Sequence, residues 1–153
     1  DEILANWPLQ QWGNTRVVIA VSGGADSMAL LDSLWKLSPA RENLFVFHCN
    51  HRQRGEESDA DATFVKQQAA LRNLDCHVAR LTDEECLYHS EDQLRQIRYQ
   101  YLREFACRIS ASWIALGHNA DDNIETYLHR SIRGSGTRGL RGIPFQRNFV
   151  QSM

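Results

Sequence analysis

The string Ser22-Gly23-Gly24-Ala25-Asp26-Ser27 sets two adjacent glycines among hydroxyl and carboxylate side chains. Glycines allow a tight turn whose N–H groups converge, and a helix starting there adds its positive end. The chemistry open to such a string is anion binding, above all of phosphate. Its spacing fits neither G-x-x-x-x-G-K-[ST] nor G-x-G-x-x-G, so neither a Walker loop nor a dinucleotide fingerprint is implied. The plainer alternative is a strand–helix turn capped by Asp26 or Ser27. The string directly follows an apolar strand, and that setting favours a phosphate loop.

Four further strings carry groups that could handle charge. His48-Cys49-Asn50-His51-Arg52-Gln53-Arg54-Gly55 holds two imidazoles three residues apart. A metal site does not follow, because His48 and Cys49 point to opposite faces of a strand and the remaining zinc ligands are missing. Arg95 and Arg98 lie one helical turn apart beside Tyr99; without other information they are a solvated basic face, with Glu91–Arg95 an ordinary i,i+4 pair. Gly117-His118-Asn119-Ala120-Asp121-Asp122-Asn123-Ile124-Glu125-Thr126 puts acids in a first helical turn. Dipole complementation explains one of them but not the set, and His118 and Asp122 converge if the helix begins near His118. From Thr126 to Met153 there are five arginines and no Asp or Glu. The Arg133-Gly134-Ser135-Gly136-Thr137-Arg138-Gly139-Leu140-Arg141-Gly142 part of it suits RNA phosphate contact without base readout, against the alternative of a solvated loop.

The elements that must position these strings follow from hydrophobic periodicity. Strands are expected over Arg16 to Val21, Leu44 to Cys49, Cys76 to Leu81 and Trp113 to Gly117. Helices are expected over Met28 to Leu37, Asp59 to Leu74, Glu91 to Ile109 and about Asp121 to Ile132. On the long helix Leu94, Ile97, Tyr101 and Phe105 should face inward. The βαβαβαβα order predicts an α/β fold, a Rossmann-like parallel sheet with helices on both faces. Ligands of such sheets bind beyond the carboxyl ends of the strands, where these strings fall.

The chain has 153 residues, enough for one domain with a core, and a net charge of −2 that does not by itself announce a nucleic-acid binder. No apolar run approaches the roughly 18 residues that span a bilayer. The acidic start does not resemble a signal peptide. Cys49, Cys76, Cys86 and Cys107 are irregularly spaced with no C-x-x-C, which predicts unpaired thiols and a cytoplasmic protein. There is no internal repeat and no low-complexity linker.

The S-G-G-x-D-S string after its strand resembles the PP-loop of the N-type ATP pyrophosphatases, which cleave ATP between the α- and β-phosphates. The resemblance implies that Ser22, Gly23, Gly24, Ala25, Asp26 and Ser27 bind ATP, with Asp26 also helping to hold Mg2+. The H-C-N-H stretch resembles the H-x-[NH]-H segment of the lysidine synthetases and implies His51 at the rim of the nucleotide pocket. The E-x-x-x-R-x-x-R-Y segment resembles one typical of the family, and the resemblance implies an active-site role for Arg98, with Arg95 as the second candidate. The G-H-x-x-D-D-x-x-E-T string resembles the signature of the tRNA-modifying branch. It implies active-site roles for His118 and Asp122, with Asp122 binding magnesium or receiving a proton. The R-G-S-G-x-x-G-L-x-G run implies tRNA contact by Arg133, Arg138 and Arg141, and best separates this branch from argininosuccinate, NAD and GMP synthetases.

The likeness runs from Val17 to Ile143 and implies one N-terminal PP-loop catalytic domain over residues 1–153, with C-terminal tRNA-binding domains missing from the chain. The tail from Phe145 to Met153 matches nothing recognisable. The implied reaction adenylates the C2 oxygen of the wobble cytidine in a tRNA(Ile) with a CAU anticodon, then replaces AMP with the ε-amine of free L-lysine. One alternative is a 2-thiocytidine-type thiolase, which would need C-x-x-C cysteines for an iron–sulfur cluster. The other is a nucleotide-sensing module without catalysis, against which the presence of Asp26, Arg98, His118 and Asp122 counts.

Overall fold

A computed structural model describes residues 2–52, 55–87 and 90–117 of the chain. In chain order the elements are α1 (Glu2–Asn6), α2 (Leu9–Trp12), β1 (Val17–Ala20), α3 (Ala25–Leu37), a 3-10 turn (Arg41–Asn43), β2 (Leu44–Asn50), α4 (Glu56–Ala70), β3 (Asp75–Arg80), α5 (Asp83–Leu87), α6 (Glu91–Arg108) and β4 (Trp113–Leu116). The four strands are all parallel, in the order β3-β2-β1-β4. The expected helix from Asp121 to Ile132 lies outside the described residues.

Alternation along the strands builds two cores. Val17, Ile19 and Val21 join Leu44, Val46 and Ala115 on one face, where Leu31 and Leu34 of α3 and Val65 and Ala69 of α4 pack. Val18 joins Phe47, Cys49 and Ala79 on the other, under Leu94, Leu102, Phe105 and Ala106 of α6. Burial on both sides is why the central strands read as nearly continuous apolar runs rather than alternating ones. Each fully buried Leu or Val contributes about 1.5–3 kcal/mol relative to exposure.

Helix ends depart from expectation for local reasons. α3 begins at Ala25, three residues before Met28, because Gly24 with ψ 163° already serves as its N-cap. α4 runs from Glu56 to Ala70 instead of 59 to 74. It stops where Asn73 turns left-handed (φ 54°), with Leu74 N–H donating to Ala69 O and Asn73 N–H to Ala70 O. That is a Schellman ending built on Asn. On α6, Leu94 and Phe105 are buried as expected and Ile97 and Tyr101 half-buried, but Leu102 and Ala106 are also buried. Trp7 stacks on Trp12 (5.1 Å) and meets Trp113 edge-on (5.4 Å), pinning α1 and α2 beside β4.

Candidate functional site

β1 and β4 are hydrogen-bonded neighbours, yet the chain reaches β2 and β3 before it comes back to β4. The strand order therefore reverses beside β1, and the loop leaving β1 sits at the place where open parallel sheets bind ligands. Ser22 to Gly24 form that loop, and α3 takes over at Ala25. Gly23 has φ 98°, a left-handed conformation that suits glycine. No side chain caps α3, and its first backbone bond within the turn is Met28 N–H to Gly24 O (3.1 Å). The amides ahead of it occupy the position where helix N-termini meet anions.

The two serines give the loop its shape. Ser27 Oγ–H donates to Gly24 O (2.9 Å), and Ser22 N–H donates to Ser27 Oγ (3.1 Å). With its one proton committed, Ser27 Oγ must accept across the 3.0 Å contact from Ser22 Oγ, which in turn accepts from Gly24 N–H (3.3 Å). Ser27 is thus buried and turned into the loop, whereas Ser22, Gly24, Ala25 and Asp26 are exposed. The Asp26 carboxylate lies in the first turn of α3. Magnesium on a nucleotide takes one or two carboxylates plus phosphate oxygens and waters, so an exposed acid at the mouth of this loop fits that ion. No cluster of three or more His, Cys, Asp or Glu side chains able to hold a metal occurs among the described residues.

Two neighbours close around the loop. A Cβ added to Gly117 would stand 2.9 Å from Ser27 Cα and 3.0 Å from Ser27 N, so the end of β4 touches the first turn of α3 backbone to backbone. Behind Gly23, Asp61 and Val65 of α4 lie 3.8 Å from the equivalent Cβ position. The sequence marked Gly117 only as the first letter of its motif; the close approach is visible only in three dimensions.

At the end of β2 the two histidines separate in role. His48 is 4% exposed, and its Nδ1 lies 2.8 Å from Val21 O. A carbonyl can only accept, so Nδ1 carries the proton and His48 ties β2 to the residue just before the loop. His51 is half-buried. Burial first, then the positive charge of Arg98, then His48, hold its imidazole below the usual value of 6.5. Arg98 is half-buried on α6, and its guanidinium lies 5.4 Å from the Tyr99 ring centre. Arg95 is exposed, 5.8 Å from the same ring. The structure thus places Asp26 in the helical turn that follows the loop and His51 just beyond the carboxyl end of β2, with Arg98 on α6. His118, Asp122, Arg133, Arg138 and Arg141 lie outside the described residues.

Sequence reasoning missed a polar network at the end of β2. Asn50, 1% exposed, donates through Nδ2 to Asp59 Oδ1 of α4 (2.8 Å) and accepts at Oδ1 from Arg52 N–H (2.9 Å). Asp59 also pairs with Arg80 at the end of β3 (3.3 Å), and Arg52 with Asp83. An Asn closing an apolar strand was the only signal available, and it reads equally well as a solvated strand end.

The cysteines bear on the sulfur-transfer alternative. Cys49 packs in the core under α6, whereas Cys76 packs against the core under α3 and α4, across the sheet. Burial raises the Cys76 thiol above its ordinary value, opposed by Lys66. These two thiols cannot share one cluster.

The family described as a PP-loop domain matches residues 2–153. A tRNA(Ile)-lysidine synthase of Symbiobacterium thermophilum is 45% identical over 133 residues, covering 84% of this chain and 28% of the relative. Its counterpart in Geobacter sulfurreducens is 45% identical over 130 residues (82% of this chain, 27% of the relative). That of Chlorobaculum tepidum is 41% identical over 132 residues (83% and 40%). The chain spans well under half the length of each of these relatives. Among solved structures, the U34-tRNA thiolase NcsA from Methanococcus maripaludis with its [4Fe-4S] cluster superposes with TM-score 0.64 at 22% identity. That match covers 82% of this chain and 45% of the other, a likeness of fold.

Proposed function

We propose that this chain, which belongs to the PP-loop domain family, is the ATP-binding catalytic portion of a cytoplasmic enzyme that joins lysine to the wobble cytidine of a CAU-anticodon tRNA(Ile). The observation that carries the ATP half is the loop after β1: a left-handed Gly23, an α3 N-terminus without a side-chain cap, and an exposed Asp26 in its first turn. The lysine half rests on the curated relatives that cover over four-fifths of this chain.

In this reading the cytidine C2 oxygen attacks the α-phosphorus of ATP. The new O–P bond forms as the bond to the bridging oxygen breaks, and pyrophosphate leaves toward the amides at the start of α3. Asp26, with Asp122 where it does not take the proton, would hold magnesium, which would supply charge neutralisation on the phosphates. Arg98 stabilises the charge that develops at phosphorus. The ε-amine of free L-lysine then attacks C2, the C–N bond forms, and AMP departs with the former C2 oxygen. The proton shed by the amine passes to Asp122 or His118. Arg133, Arg138 and Arg141 hold tRNA phosphates without reading bases. The target base must leave its stack to reach the loop, which suits an anticodon.

The test uses the longest form of the protein that contains this chain, with ATP, magnesium, radiolabelled lysine and a CAU-anticodon tRNA(Ile) transcript. Label should enter the RNA, and Asp26→Ala should reduce the rate by about 100-fold or more. Measurable ATP binding with no lysine incorporation would overturn the lysine half and direct attention to a different nucleophile.

A further inference from the structure

The end of β2 and the start of α4 supply two walls of the region beyond the sheet: β2 runs into His51, and α4 stands behind Gly23. Asn50 ties these two segments together at that edge. Its amide is buried to 1% exposure and both ends are committed, Nδ2 to Asp59 Oδ1 and Oδ1 to Arg52 N–H. The second bond closes a turn about His51, with Arg52 left-handed at φ 53°, a conformation a non-glycine residue adopts at a cost. The first bond holds Asp59 at the N-terminal turn of α4, two residues before Asp61, which touches the position behind Gly23. Arg80 grips the same Asp59 oxygen from β3.

We infer that Asn50 is a positioning residue for the nucleotide site, holding the turn at His51 on one side and α4 against the phosphate loop on the other. This rests on the nucleotide reading given above. An amide suits the role where a carboxylate would not: only an amide presents a donor to Asp59 and an acceptor to Arg52 N–H at once. In Asn50→Asp the new carboxylate would face that of Asp59 across a 2.8 Å gap, and a donor–acceptor pair would become a repulsive one. In the exchanged pair Asn50→Asp with Asp59→Asn, the amide sits on α4 and donates back, so the bond returns with its polarity reversed, while the exposed Arg80 contact to that atom is given up. The Arg52 N–H keeps its acceptor.

The experiment uses the longest form of the protein that contains this chain, with α,β-methylene ATP and magnesium, read by calorimetry, and the His51 imidazole signals, read by NMR and assigned with His51→Gln. Asn50→Asp should weaken binding by about tenfold and shift the His51 signals, and the exchanged pair should recover most of both. Leu74→Ala, which opens the core at the opposite end of β3, serves as a variant of lowered melting temperature; it should move neither binding nor the His51 signals while the protein remains folded. Unchanged binding and unchanged His51 signals in Asn50→Asp would overturn the inference, as would an equal effect from Leu74→Ala. If the unaltered chain binds no nucleotide, the nucleotide reading fails separately. The His51 signals then decide alone: movement in Asn50→Asp but not in Leu74→Ala upholds the positioning role, and no movement overturns it.

Discussion

Single residues in the loop differ sharply in how much change they tolerate. Gly117, which touches the loop from the end of β4, tolerates little by geometry, since its neighbours at 2.9 and 3.0 Å are backbone atoms of Ser27 that cannot swing aside. Gly117→Ala should therefore cost about 1–3 kcal/mol in urea unfolding, with weaker nucleotide binding because the first turn of α3 is displaced. Gly24 provides the contrast. Its φ is −74° and an added Cβ would meet only Ser22 Oγ at 3.5 Å, so Gly24→Ala should cost less than about 1 kcal/mol by the same measurement. Equal losses from the two would refute the backbone-contact account. The sequence marked both glycines as parts of motifs but could not rank them, because the rank depends on a strand and a helix some ninety residues apart touching in space. His48 and His51 show the same limit. Their spacing was plain, but which one is buried as a tie and which stays half-buried was set by the register of β2 against β1.

Whole elements were legible where their burial leaves a periodic trace. All four strands were expected within a residue or two, since a strand covered on both faces has few polar interruptions. α5 escaped because Asp83-Glu84-Glu85-Cys86-Leu87 has almost no apolar pattern. It is set up instead by Thr82 and Glu85 bonding reciprocally, Glu85 N–H to Thr82 Oγ1 (3.3 Å) and Thr82 N–H to Glu85 Oε2 (2.8 Å). α1 and α2 were missed because what holds them is Trp113, distant in sequence, whose indole N–H also donates to Gln11 O (3.1 Å). The helix that carries Arg98 has its own local start signal in a Ser90–Gln93 capping box. Ser90→Ala should lower stability by about 1 kcal/mol, read as a shift in the urea midpoint. Leu102→Ala, in the fully buried middle of the same helix, should cost about 2–5 kcal/mol. A larger loss from Ser90→Ala than from Leu102→Ala would mean that α6 is held by its cap and not by its packing on the sheet.

At the scale of the molecule, pH acts through imidazoles that the fold keeps from charging. Burial and the charges of Arg98 and His48 lower His51. Burial and Arg108 lower His77, which stacks on Phe105 at 4.6 Å. In the unfolded chain these groups return to the ordinary value of 6.5, so as pH falls through that value the unfolded state takes up protons that the folded state refuses. Stability from this source is complete above the unfolded value. It declines as pH drops below it, and stops declining once the depressed folded values are passed. Urea midpoints should therefore fall between about pH 7.5 and about pH 5.5, and His51→Gln should flatten part of that slope, with His51→Gln/His77→Gln flattening more. Carboxylates add little over this interval, because their ordinary values lie lower. A wild-type midpoint that stays level across the interval would show that both rings take their protons in the folded state as readily as in the unfolded one.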